Sequence, residues 1–178
     1  MSLVPRDPLL AIARATVVIL QVLLAVGALA LVIALPCVLL FGESILAEVQ
    51  VEGLAAGATF PAGLVAAIIG LALATVVLFW FFLRHLRRII DTVGEGDPFV
   101  PANAERLTTM AWITLAIQLI ALPMAGLVIA VEQVLQETSP STETEIEFSG
   151  IVLVLVLFIL ARVFRVGARM REELEGTI

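Results

Sequence analysis

RHLRRIIDTVGEGDPFVPANAERLTTMAW, residues Arg84 to Trp112, is the one long polar stretch in which arginine, glycine, proline and helix-start signals occur together. Two apolar runs lie on each side of it, so its reading decides how the chain folds. Leu86, Ile89, Ile90 and Val93 fall at i, i+3, i+4 and i+7, with Arg84, Arg87, Arg88 and Asp91 between them. This spacing predicts that the preceding apolar helix continues as an amphipathic one to residue 93. Gly94 and Gly96 then stop the helix, and Asp97-Pro98 favours extended backbone because a residue before proline is pushed out of the α region. Phe99 and Val100 follow as an apolar pair between Pro98 and Pro101. Asn103 is the expected N-cap of the next helix, with Glu105 in its first turn where the helix dipole favours an acid.

Working outward, four apolar runs are each long enough for the roughly 20 residues that cross a bilayer. The first covers about 9–41 and contains Gln21, Gly27 and Pro36; Pro36 should kink or end the regular helix. A signal peptide is the rival reading, but the run exceeds a typical h-region and no convincing basic n-region precedes it. The second, 61–83, carries Gly63, Ala67, Gly70 and Ala74 on one stripe, a pattern that lets helices approach closely. It ends in Phe79-Trp-Phe-Phe82 just before Arg84, as expected at a membrane interface. The third, about 103–131, contains Gln118, Pro123, Gly126 and Ala130, and the fourth, 150–168, has no polar side chain from Ile151 to Ala161. The 61% hydrophobic composition over 178 residues agrees with this reading, as does a mean hydropathy of +1.14. A water-soluble domain is excluded on these grounds.

The arginines orient the chain. Arg6 and Arg14 precede the first run; Arg84, Arg87, Arg88 and Arg106 lie between the second and third; Arg162, Arg165, Arg169 and Arg171 come at the end. The remaining connections, 42–60 and 132–149, hold glutamates and no arginine. The positive-inside rule therefore predicts an all-α integral membrane protein, a four-transmembrane-helix bundle with both termini in the cytoplasm of a bacterial inner membrane. The stretch 94–102 becomes a cytosolic turn, flanked by the helix extension to 93 and a further cytosolic tail running to 178. On this topology the inner side carries ten arginines and eight acids and the outer side eight acids, which accounts for the net charge of −6.

The outer segments Ala47–Glu52 and Thr142–Phe148 alternate in the period of a strand. They would suit a small ribbon, although like charges facing each other oppose pairing and solvated acidic loops are the plainer reading. Alternating glutamates could hold a hard cation, but no EF-hand spacing is present and no metal or other cofactor is expected. Cys37 is the only cysteine and sits in an apolar run, so neither a disulfide nor a multi-cysteine metal site is available. HExxH, GxSxG and paired membrane aspartates are absent, and His85 has no evident acid–base partner, so an enzyme is not expected.

Gly96-Asp-Pro-Phe-Val-Pro-Ala-Asn-Ala-Glu-Arg-Leu107, together with Phe164, Gly167, Met170, Glu173 and the terminal Thr177-Ile178, resembles the bacterial membrane family catalogued as domain of unknown function 2975. Its members are four-helix membrane proteins often encoded beside a small Cro/C1-type helix-turn-helix regulator. The resemblance thus implies a membrane-side partner for a transcription factor. Gly176 departs from the bulkier residue expected before the Thr-Ile end, which leaves the bound conformation of a docking tail less defined.

Three functions compete. In the first, the chain binds or sequesters the helix-turn-helix protein, with no direct nucleic-acid contact, and answers a membrane or extracytoplasmic signal. Phe99 would be the apolar anchor and Arg84, Arg87, Arg88, Arg165 and Arg169 the charge complement. Asp97, Pro98, Asn103 and Arg106 of the loop and Thr177 and Ile178 of the tail complete that surface. The plainer reading has these arginines on anionic lipid headgroups of the bilayer and Phe99 packed on its own protein. The second function is a small transporter or a receptor for a lipophilic ligand, using the intramembrane polar residues Gln21 and Gln118. No ionisable group lies near the centre of a span, and both glutamines fit interhelical hydrogen bonding. The third, an intramembrane enzyme, lacks the groups it needs. The small-residue stripes would allow a homodimer and serve internal packing equally well.

Overall fold

In a computed structural model, residues 8–48, 61–135 and 148–175 are described, and they are helical almost throughout. The helices are α1 (Pro8–Glu48), α2 (Ala62–Gly94), α3 (Pro101–Leu135) and α4 (Phe148–Glu175), with no strand among the described residues. The ribbon segments fall largely outside the described residues; of them, Ala47 and Glu48 end α1 and Phe148 begins α4. All four helices are long and apolar enough to cross a membrane, making this a multi-pass helical membrane protein.

Two expectations about helix ends are corrected. Of the kink or end expected at Pro36, the end does not occur, since α1 continues to Glu48; in lipid a helix tolerates the single donor that proline removes. Asn103 is not the N-cap of α3, because the helix starts at Pro101, where a missing N–H costs nothing and the fixed φ suits the first turn. Val100 takes the flanking position and its carbonyl accepts the Asn103 backbone N–H at 2.9 Å. Glu105 consequently lies beyond the first turn.

α1 packs on α2, α2 on α3 and α3 on α4, and no other pair of described helices brings Cα atoms within 8 Å. The helices stand in a row in chain order, with α1 and α4 at its edges, where a closed bundle would join them. Lipid makes this arrangement tolerable: apolar faces need no protein cover there, and association relies on close packing and hydrogen bonds. Among the described residues the hydrophobic core cluster forms where three helices meet. Leu107, Met110 and Ala111 of α3 and Leu157 and Ala161 of α4 are buried together, against Phe82, Leu86 and Ile89 of α2. The glycines of the small-residue stripes take no part in it. A Cβ on Gly63, Gly70 or Gly126 would meet nothing within 4 Å.

Gly150 sets the register of α4. A Cβ there would collide with the Gln118 side-chain amide, so the glutamine lies directly on the α4 backbone. From Gly150 to the end of α4 is 25 residues, whereas from Gln118 back to the start of α3 is 17. The difference of eight residues carries α4 about 12 Å past the start of α3, alongside and beyond the α2–α3 turn, at 1.5 Å per residue.

Candidate functional site at the hairpin end

The turn between α2 and α3 is built by a Schellman motif. Gly96 has φ +84°, a left-handed conformation that a side chain makes costly. Its N–H donates to Val93 O and the Asp97 N–H to Thr92 O, both at 3.1 Å, which satisfies carbonyls that the helix end would leave open. Of the two glycines expected to stop α2, Gly96 does so; Gly94 is the last residue inside the helix.

Asn103 ties this turn together from within. It is fully buried, and its Nδ2 donates to Thr92 Oγ1 at 2.8 Å and to the Pro98 carbonyl at 2.9 Å. Its Oδ1 accepts from Arg106 Nη1 at 2.7 Å, and the same nitrogen reaches Arg88 O at 3.2 Å. The Thr92 hydroxyl donates in turn to Ile89 O at 2.9 Å. A buried amide so satisfied rigidifies the end of the hairpin, since each group left without a partner would be costly.

α4 docks onto this end by an aromatic and two polar contacts. A Cβ on Gly167 would lie 2.6 Å from Phe99 Cδ1, so the ring rests on bare helix backbone. Phe99 also meets Phe164 at a centroid distance of 5.4 Å. Arg171 forms an ion pair with Asp97, and Arg165 Nη2 donates to Thr108 Oγ1 at 3.5 Å. Phe99 thus packs on its own protein, but it remains 40% exposed. It forms one wall of an open groove of about 450 Å³ along α4, lined also by Arg162, Val163, Val166, Gly167 and Met170.

The remaining residues singled out by sequence divide between this end and the spans. Arg84 is exposed, with its guanidinium 5.9 Å from the Trp80 ring centroid, at cation–π distance. Arg87 is half-buried, while Arg88 and Arg169 are exposed. Thr177 and Ile178 lie outside the described residues. Gln21 is buried on α1, and Gln118 lies in the α3–α4 seam. On the other side of the hairpin, Arg14 Nε is 3.4 Å from Asp91 Oδ1. This carboxylate oxygen is buried without a hydrogen bond, so the contact is an ion pair of loose geometry. Among the described residues no group of three His, Cys, Asp or Glu side chains could hold a metal.

Sequence reasoning gave no role at this site to Thr92, to Gly167, which it used only in the family pattern, or to Arg171, which it used only for orientation. The signal for Gly167 was available, as the one residue without a side chain in an α4 segment otherwise rich in valine and arginine. Thr92 and Arg171 carried none, since their partners are set by tertiary structure alone.

No curated protein and no solved structure matches the chain. The match is to a family model described as Protein of unknown function (DUF2975), which covers residues 17–178, and the chain belongs to that family.

Proposed function

We propose that this protein is a regulator embedded in a bacterial inner membrane that holds a small helix-turn-helix transcription factor at its cytosolic face, under control of a membrane or extracytoplasmic signal. The arginine distribution supports a hairpin end on the cytosolic side. The observation that carries the reading is the half-exposed Phe99 beside Arg162, on an end of the protein that also carries the exposed Arg84, Arg88, Arg165 and Arg169 and is made rigid by Asn103. Sequestration requires a preorganised docking surface and no catalysis, and aromatic and arginine residues are the types enriched in such surfaces. The choice of a helix-turn-helix protein as the occupant comes from the family resemblance.

The test is co-expression of the full chain with a small Cro/C1-type helix-turn-helix regulator of the kind the resemblance implies, followed by purification in detergent and an operator-reporter assay. The expected result is that the regulator co-purifies and that the double charge reversal R165E/R169E releases it and changes reporter output. Failure of the wild-type chain to retain the regulator overturns the reading, and flux into liposomes would then favour a transporter.

A further inference from the structure

We infer that the groove between Phe99 and α4 is the seat of one amphipathic helix with an acidic flank, supplied by a cytosolic partner. The inference rests on the regulatory reading for its biological setting, and it specifies which surface the partner uses and what the partner must present. Val163, Val166 and Met170 line the groove and are about half exposed, and Leu174 continues the stripe at 72% exposure. Their spacing of three, four and four residues is that of a single helical face, the form in which one helix receives another.

Depth decides against lipid as the cover of the far end of the groove, although its inner end at Ile159 lies deeper than Arg165. Arg84 lies 22 residues after the start of α2, about 33 Å along the axis, close to the full thickness of the hydrocarbon core. Arg106 reaches the Arg88 carbonyl and Arg165 reaches Thr108, which places the arginines of all three helices in one band at that boundary. Leu174 lies nine residues beyond Arg165, about 14 Å further along α4, whereas the headgroup layer on one side is only about 5–8 Å thick. The end of the groove near Met170 and the stripe beyond it therefore project past the layer where acyl chains could cover them.

Charge decides between the protein occupants. Arg162 lines the groove, and Arg169 follows seven residues later on the same face of α4. A second copy in the same membrane would share this orientation, and two α4 faces meeting about a two-fold axis would set these arginines against their own equivalents at equal depth. An acidic flank supplies the complementary charge. Phe99 adds an aromatic wall that Gly167 allows to sit at the helix surface.

The probe is an 18-residue peptide with leucine on one helical face and glutamate on the other, labelled and titrated against the full chain in phosphatidylcholine nanodiscs. Two controls have the same length: a scramble of identical composition, and a version with lysine in place of glutamate. The acidic amphipathic peptide should bind at least about tenfold more tightly than either control, a difference of about 1.4 kcal/mol. M170E should abolish this binding, and R162Q/R169Q should weaken it about tenfold and flatten its salt dependence. V163A, which keeps the groove open, should weaken it less than M170E while preserving the salt dependence. Equal binding of the scramble, equal binding to empty nanodiscs, or indifference to M170E in a chain of unchanged helix content overturns the inference. Dimeric chain with no peptide bound would assign the groove to a second copy instead. Loss of the inference and loss of the regulatory reading are separable. A regulator that still co-purifies with M170E refutes the groove alone, and a chain that binds the peptide but retains no regulator refutes the regulatory reading alone.

Discussion

Asn103, expected as an N-cap and as part of a partner-binding surface, is instead buried inside the hairpin end, where no partner can reach it. Its type suits an N-cap, yet it lies inside α3 with its amide turned back to Thr92, Pro98 and Arg106. A buried polar network of this kind fixes one geometry because every alternative leaves donors or acceptors unpaired. N103A removes both donors and the acceptor at once, leaving the Pro98 carbonyl without its partner and Arg106 Nη1 with the Arg88 carbonyl alone. The expected cost is about 1–3 kcal/mol, read as a lowered melting temperature of the full chain in detergent micelles. N103D should fall between N103A and wild type, since it keeps an acceptor for Arg106 and loses both Nδ2 bonds. A melting temperature for N103A equal to that of wild type would remove the network from the account of hairpin rigidity.

At the scale of elements, the hairpin–α4 joint depends on a size match between Phe99 and Gly167. G167A places a Cβ 2.6 Å from the ring, and over-packing of this kind typically costs about 1–3 kcal/mol. In the background F99A the obstacle is gone, and the same substitution should stabilise α4 by up to about 1 kcal/mol through helix propensity. The change of sign across the four-member cycle, measured by thermal unfolding, is the prediction; additive effects would show that the two residues are not coupled. The same joint marks the limit of what sequence could convey. The helices themselves were legible, because hydropathy and the arginine-glycine-proline interruption act locally, and so was the turn near Gly96, whose conformation follows from its own lack of a Cβ. The placement of Phe99 on Gly167, and of Gln118 on Gly150, depends on the register between α3 and α4. A uniformly apolar run such as Ile151–Ala161, which serves both the core and the lipid-exposed surface, has no alternation of polar and apolar residues to report that register. Pro36, expected to kink or end its helix, does not end it, because a membrane helix absorbs the lost hydrogen bond.

At the scale of the molecule, the row of helices concentrates chemistry at one end. α1 and α4 do not meet, and the three-helix core lies near the hairpin, so the arginine band, the groove and the rigid turn all occupy the same end of the protein. If that end faces the cytoplasm, as the positive-inside rule requires for such a concentration of arginine, the opposite ends of α1 and α3 face outward with their glutamates. The chain offers a direct measurement of this because Cys37 is its only cysteine. In a C37A background, Glu95→Cys tags the exposed turn and Gln133→Cys the exposed far end of α3. A membrane-impermeant maleimide applied to spheroplasts should label Gln133→Cys and spare Glu95→Cys, and in inverted membrane vesicles the pattern should reverse. Labelling of Glu95→Cys from outside would turn the hairpin away from the cytoplasm. It would withdraw the docking surface from any transcription factor while leaving the Asn103 network and the Phe99–Gly167 joint as they are.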